Sequence, residues 1–377
     1  YSVTMRKRGL FLLCLSLLFL PIVCSTTITI DDSIQYQTID GMGVAEGWNF
    51  PNSTFYPALF NDLGISILRF RLIPELEVVN DNNDSNIINW NNINLKVLSQ
   101  NWTLGGTPNY IDLLKEAKSR NIPILATVWS PPGWMKVNGI TKNGSKIIPG
   151  YENEFAEYVV IQIKTLRDYY GINIDYLSIQ NEPEVTEVWE TCTYSGSELN
   201  NMVKVVGNRL ALEGINISLY SPETGWPYGF NSRANPICND ANSKKYIGAL
   251  ITHTYGTDYG TSFSVPDSFI SIWQSMKSTA NSCGKKLWMT EFCRSSQANN
   301  DNSWSDGMLM AQHIHNALYY GDVSAYISWE FFDAPEPIIN KAGTKFYRFN
   351  TQRQYFKFIK PGAVRINTQS GDSNVLV

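Results

Sequence analysis

Eight short apolar runs recur along the chain, each followed by a longer segment in which apolar residues return at helical spacing. The runs cover residues 41–46, 65–72, 122–129, 176–181, 217–222, 249–255, 286–291 and 325–330. The helical stretches between them include 110–120, 151–170, 197–212 and 306–320. The runs carry the β-branched and aromatic character of buried strands. Strand and helix alternating eight times within about 300 residues predict an α/β fold of the (β/α)8, or TIM, barrel type. An open doubly wound sheet shares the alternation but calls for a glycine-rich phosphate turn after its first strand. Gly41-Met42-Gly43 sits inside a strand instead, and reads as structural.

In a barrel of this kind, function collects at the C-terminal tips of the strands. Here the tips carry Glu46, Arg69 and Arg71, Trp129, Asn181 and Glu182, Glu223, His253 and Tyr255, Glu291, and Trp329 and Glu330. The fourth tip is the most pointed. "YLSIQNEPEV" (176–185) is an apolar run that ends in an amide, an acid and a proline. Pro183 lacks an N–H and biases Glu182 away from helix, so the strand must end nearby with Asn181 and Glu182 at its mouth.

The chain ends lie outside the barrel pattern. Arg6-Lys7-Arg8 followed by an apolar stretch from Leu10 to Val23 reads as a signal peptide running from about Met5 to Ser25, with residues 1–25 removed. That implies a secreted, extracellular protein without a stable membrane anchor. Residues 26–38 predict a strand and 39–357 the catalytic barrel. Residues 358–377 turn at Pro361-Gly362 into a further strand, so the two ends are expected to form a small side β structure, cut short at its C-terminal part. The net charge is −4, and the leader holds basic residues but no acid, so the remainder is more acidic still, which argues against nucleic acid as a partner. Aromatics make up 13% of residues, with 11 Trp; most belong in the core, but exposed ones serve as sugar platforms. Cys192, Cys238, Cys283 and Cys293 remain after the leader. Disulfides are permitted in a secreted chain, and Cys192–Cys238 is the expected pair, both lying in loops after strands four and five. Cys283 and Cys293 flank one strand at opposite ends, beyond disulfide reach. No CxxC or HxxxH spacing points to a metal, and no cofactor is expected. Sequons stand at Asn52, Asn83, Asn101, Asn143 and Asn216.

Glu182 and Glu291 end strands four and seven, which face each other across a barrel mouth. Two carboxylates across a cleft are the equipment of glycoside hydrolysis; about 5–5.5 Å apart they serve as acid/base and nucleophile with retention of configuration. Asn181 suits a sugar 2-hydroxyl, and Arg69 and the Tyr255 hydroxyl are placed to donate to Glu291.

These residues carry a family resemblance. The segments "QTIDGMGVAEGWN" (37–49), "GISILRFR" (64–71), "ATVWSPPGWMKVNG" (126–139), "IQNEPE" (179–184), "HTY" (253–255), "WMTEF" (288–292) and "FIKPGAVRI" (358–366) cover the barrel in order. The chain resembles glycoside hydrolase family 30, a retaining clan-A family of xylanases, β-1,6-glucanases and glucosylceramidases. The resemblance implies Glu182 as acid/base and Glu291 as nucleophile. It implies Arg69, Trp129, Asn181, Tyr255 and Trp329 as their support, with His253 in a substrate or supporting role. One departure is the missing part of the side β-sandwich that family members build from both chain ends.

Other residues read more plainly. Trp129 is expected to be a sugar platform, Trp134 to pack and Glu184 to be solvated. Glu46 and Glu330 are expected to contact substrate or to pair with Arg69 and Arg71. Lys341, Lys345 and Arg348 are expected in a solvated basic loop, and the Asn-rich stretch 80–101 in a loop on or beside the active face. The function implied is a monomeric endo-β-xylanase-like hydrolase acting on wall poly- or oligosaccharide. A glucosylceramidase or β-1,6-glucanase type is the alternative, and a non-catalytic carbohydrate-binding barrel the alternative of another class.

Overall fold

The computed structural model describes residues 26–99, 110–257, 267–294, 302–332, 337–372 and 375. The leader and Asn101 lie outside the described residues. Among the described residues ten strands are present: β1 (Ile28–Thr38), β2 (Gly41–Glu46), β3 (Ile67–Leu72), β4 (Ile124–Val128), β5 (Tyr176–Ser178), β6 (Ser218–Thr224), β7 (Ile247–His253), β8 (Lys286–Glu291), β9 (Ala325–Ser328) and β10 (Val364–Ser370). Strands β2 to β9 pair in parallel, in sequence order, and β9 returns to β2, closing an eight-stranded barrel. The eight predicted strands are these eight. The fourth is shorter than expected: β5 stops at Ser178, three residues before Asn181. Strands β1 and β10 form a separate two-stranded sheet. Gln37–Arg365 is one compact unit and the described residues of the two chain ends are the other.

The predicted helices appear as Tyr110–Ser119, Glu152–Lys164, Gly196–Leu212 and Trp304–Tyr319. Gly196–Leu212 starts where it does because Ser195 accepts from the Glu198 N–H while the Glu198 side chain accepts from the Ser195 N–H. This reciprocal cap satisfies two N–H groups that a helix start leaves open. The stretch 80–99 is more than a bare loop, since it contains the short turns Trp90–Asn92 and Val97–Ser99 and buries Ile93, Val97 and Leu98.

Alternate strand residues fill the barrel interior: Ala45, Ile67, Leu125, Tyr220, Ala249, Ile251, Trp288, Ala325 and Ile327 make one apolar plug. Gly43 belongs to this interior. A Cβ there would stand 2.0 Å from the Ile67 carbonyl oxygen, so only glycine lets β2 and β3 approach. That is the structural reading of Gly41-Met42-Gly43. Two residues above the plug, the same inward alternation carries Arg69 over Ile67, His253 over Ile251 and Trp329 over Ile327. The plug is therefore a floor on which the polar tips stand.

Several side chains differ from expectation. The disulfide joins Cys238 to Cys283, with Cα atoms 5.2 Å apart, and not Cys192 to Cys238. Cys238 lies near the end of helix Phe230–Asn239 and Cys283 closes helix Asp267–Cys283. Both helices run back from the strand tips, so their ends meet on the opposite face, whereas Cys192 is a buried thiol in the loop after β5. Arg348 is buried in helix Tyr347–Phe356 and donates to Asp306 at 2.9 Å, so it does not belong to the solvated loop, whereas Lys341 and Lys345 are exposed there as expected, with Lys345 paired to Asp62. Trp134 packs edge-on against Tyr151, as expected. Asn52, Asn83, Asn143 and Asn216 are all exposed. Among the described residues no helix is long and apolar enough to cross a membrane.

The Cys238–Cys283 bond closes a separation of 45 residues. Loop entropy then assigns it about 4 kcal/mol of stability. Replacing both cysteines by serine should lower the urea midpoint accordingly, and a non-reduced peptide map should show the 238–283 link. A 192–238 link would contradict the structure.

Candidate active site

The barrel mouth is organised by Arg69. Its side chain is fully buried, so a guanidinium that water cannot reach must be satisfied by protein groups. It is. Nε donates to Glu223 Oε1 at 2.9 Å, one terminal nitrogen to Glu291 Oε2 at 2.7 Å, and the other to Asn181 Oδ1 at 2.6 Å. Its flat face lies 4.4 Å from the Trp129 ring centroid. One residue from β3 thus ties β4, the segment after β5, β6 and β8 together.

Two irregularities aim the carboxylates. Along β6 and β7, Pro222 pairs with Ile251 and Thr224 with Thr252, leaving Glu223 as an extra residue with φ +54°. Along β7 and β8, Met289 pairs with Thr252 and Glu291 with His253, leaving Thr290 as the extra residue. Regular alternation would turn Glu223 and Glu291 outward, like Ser221 and Met289; the bulges turn them inward. Glu182 also adopts the left-handed region, φ +47°, rather than the extended conformation its proline favours. Its N–H donates to the Glu223 carbonyl at 2.9 Å, and the Asn181 N–H to Val128 at 2.7 Å, so strand-like pairing continues past the end of β5.

His253 joins the carboxylates. Its Nδ1 is 2.9 Å from Glu182 Oε1, and its Nε2 is 3.7 Å from Glu223 and 3.8 Å from Glu291. Burial pushes the imidazole pKa down, but the charges of Glu291, Glu182 and Glu223 outweigh it and raise it to about 9. The ring is therefore an imidazolium at neutral pH. Tyr255 donates to Glu291 Oε1 at 2.8 Å. Burial raises the Glu291 pKa above the usual carboxylate value, against the pull of His253 and Arg69. Burial acts on Glu223 in the same sense, yet Arg69 and His253 hold it below its ordinary value. Glu182, His253 and Glu291 each present an atom within 4.8 Å of the others. Three such groups have the spacing of metal ligands, but the Arg69 guanidinium already supplies a cation to Glu291 at this point.

Arg69, Asn181, Glu182, His253, Tyr255 and Glu291 are thus brought to one place, with Trp329 beside them through Trp129. Trp129 is only 2% exposed and has Arg69 against its face, so it is not the open sugar platform expected. Trp129 forms a cluster with Trp48 and Trp329 at centroid distances of 6.0–6.3 Å, and Trp48 and Trp329 are the half-exposed members. Glu46 and Glu330 do not pair with Arg69 or Arg71. Glu46 is fully buried with no hydrogen-bond partner on either oxygen among the described residues, and burial together with the Glu330 charge raises its pKa well above the ordinary value. Arg71 instead binds Glu190 at 2.6–2.7 Å and donates to the Gly47 carbonyl at 3.0 Å. Glu190 carries no signal in the sequence and Glu223 reads only as a bare strand tip; the groups that contact them, Arg71 and Arg69 on β3 and His253 on β7, are distant along the chain. Glu184 is half-buried rather than solvated, accepting from the Trp226 N–H at 3.1 Å.

The glycosyl hydrolase family 59 model matches residues 99–346. The chain is 27% identical over 371 residues to glucuronoxylanase XynC of Bacillus subtilis (strain 168), covering 94% of this chain and 75% of that protein. Of a second glucuronoxylanase XynC of Bacillus subtilis, 27% identical over 281 residues, it spans 71% of this chain and 59% of that one. It is 30% identical over 170 residues to the endo-1,6-beta-D-glucanase of Neurospora crassa, across 42% of this chain and 33% of that one. The fold matches the catalytic domain of family 30 xylanase C from Talaromyces cellulolyticus with a TM-score of 0.73 at 21% identity, covering 93% and 82% of the two chains. The family 30 subfamily 8 xylanase from Clostridium acetobutylicum gives 0.71 at 24% identity, covering 91% and 77%. The matched family model bears the number 59, while the relatives and the barrel agree with the family 30 resemblance of the sequence. The chain belongs to the glycosyl hydrolases, matched by the family 59 model and of the family 30 type in its fold and its relatives.

Proposed function

We propose that the chain is a secreted, retaining endo-β-xylanase-like hydrolase in which Glu291 is the nucleophile and Glu182 the acid/base. The observation that carries this reading is the pair of carboxylates from β8 and the segment after β5, with oxygens within 4.8 Å across the barrel mouth. That spacing fits double displacement and leaves no room for the water an inverting enzyme holds between its acids. Glu291 attacks the anomeric carbon as Glu182 gives its proton to the departing glycosidic oxygen, and the C–O bond breaks. In the second step Glu182 takes a proton from water, whose oxygen attacks the same carbon and releases Glu291.

Each neighbour has a part in this. Arg69 and Tyr255 donate to the two oxygens of Glu291, which favours the ionised nucleophile against burial. His253 holds Glu182 by its Oε1. With Oδ1 of Asn181 taken by Arg69, the amide nitrogen is the end that serves a sugar 2-hydroxyl. Trp48 and Trp329 offer the ring surface that Trp129 does not. Xylan as substrate rests on the likeness to the glucuronoxylanases, and β-1,6-glucan on the Neurospora crassa likeness; reducing-sugar release from the two polymers separates them.

Two outcomes test the roles. With a dinitrophenyl β-glycoside, whose leaving group needs no proton, Glu182→Ala should still form the glycosyl-enzyme and then stall. Azide should restore turnover and give the β-glycosyl azide, while Glu291→Ala with azide should give the α-azide. The opposite pair of products by NMR would reverse the assignments.

The second outcome concerns His253. Its folded pKa of about 9 lies above the unfolded value near 6.5. The proton it holds therefore stabilises the fold fully below pH 6.5, and that contribution is lost as pH rises through 9. The whole span amounts to about 3 kcal/mol. The thermal midpoint of the wild type should fall from pH 6.5 to 9.5 more steeply than that of His253→Gln. Parallel curves would contradict the imidazolium.

A further inference from the structure

We infer that Trp226 is the platform for the departing sugar, a leaving-group subsite on the Glu182 side of the cleft; this rests on the acid/base role proposed for Glu182. The indole is 46% exposed although it sits directly beside the buried site. It follows β6 and precedes the turn Pro227–Gly229, in the loop at the mouth of the barrel.

Three contacts fix its place. The backbone leading into it touches Glu182: a Cβ on Gly225 would stand 2.8 Å from Glu182 Oε1, so the loop passes against this carboxyl and any side chain at 225 would displace it. The Gly225 carbonyl accepts from the Tyr255 N–H at 3.3 Å, and the Trp226 ring meets the Tyr255 ring edge-on at 6.5 Å. On the far side, the Trp226 N–H donates to Glu184 Oε1, whose other oxygen is 3.9 Å from Arg233 Nε. Glu184 is the second acid of "QNEPE". It clamps the loop bearing Trp226 to the loop bearing Glu182, so ring and carboxyl are held as one unit.

The chemistry follows from that juxtaposition. The sugar that leaves carries the oxygen that Glu182 protonates, so it must lie on the Glu182 side. A pyranose presents a face of C–H groups, and a rigid indole offers the matching apolar surface at little cost in conformational freedom. The occupant is therefore a neutral pyranose unit of the polysaccharide, bound through its ring face. Binding energy gained there from a part of the substrate remote from the broken bond raises kcat/KM for glycan leaving groups, and does nothing for a leaving group without a sugar.

The test compares glucuronoxylan with β-xylobiosyl fluoride, whose leaving group is a lone fluoride. Trp226→Ala should lower the ratio of kcat/KM on the polymer to kcat/KM on the fluoride by roughly tenfold, and Trp226→Tyr should restore most of it. A ratio within about twofold of wild type, with both activities falling together, would show that the ring acts only through Tyr255 and overturn the subsite. Wild-type cleavage of the fluoride shows the two-carboxylate machinery at work, so a flat ratio then counts against the subsite alone. A wild type inert toward both substrates would overturn the proposed function beneath it.

Discussion

A guanidinium sealed inside the barrel mouth sets the geometry on which the site depends. Arg69 donates to Glu223, Glu291 and Asn181 and lies on Trp129, so four separate segments are registered against one planar group. Burying a charge in this way is unfavourable unless every donor is satisfied, and removing one partner of such a pair costs about 3–5 kcal/mol because the other is left charged and dry. The arrangement is thus a constraint more than a source of stability. With Arg69 fixed, the carboxylates of Glu223 and Glu291 have no other place to go.

Charge balance completes the picture. Three carboxyl groups, Glu182, Glu223 and Glu291, converge in a nearly solvent-free space, facing two cations, Arg69 and the His253 imidazolium. In the proposed mechanism Glu182 holds a proton, so the two remaining carboxylates balance the two cations. The apolar plug beneath, from Ala45 round to Ile327, prevents the cluster from sinking into the barrel. The loops above decide what reaches it. Arg71 at the end of β3 ties the segment after β2 to the loop after β5, and Glu184 ties that loop to the one bearing Trp226, on the face where a glycan would lie.

Much of this was legible in the sequence, and the reasons for the rest are physical. The eight strands announce themselves because strands of a closed parallel barrel are apolar on both faces, and the helices because apolar residues return at helical spacing between them. Residues at strand tips followed from chain order alone, which is how Glu182, Glu291, Arg69, His253 and Tyr255 were found. The bulges at Glu223 and Thr290 were not legible, because a register shift is a property of two strands and not of either one. The disulfide was misread for a similar reason: Cys238 was assigned to a loop, whereas it rides a helix down to the opposite face, where Cys283 ends another. Trp129 looked like a platform by position, but the Arg69 face against it is a long-range contact that no local pattern announces.

The account turns on which carboxylate bonds to the sugar. A dinitrophenyl 2-deoxy-2-fluoro-β-xylobioside slows both steps, yet its good leaving group lets the first proceed, so the covalent glycosyl-enzyme accumulates and survives digestion. Mass spectrometry of the peptic peptides should find the fluorosugar on Glu291, within "LWMTEF". An adduct on Glu182 or Glu223, or turnover of the reagent with no adduct at all, would contradict the assignment.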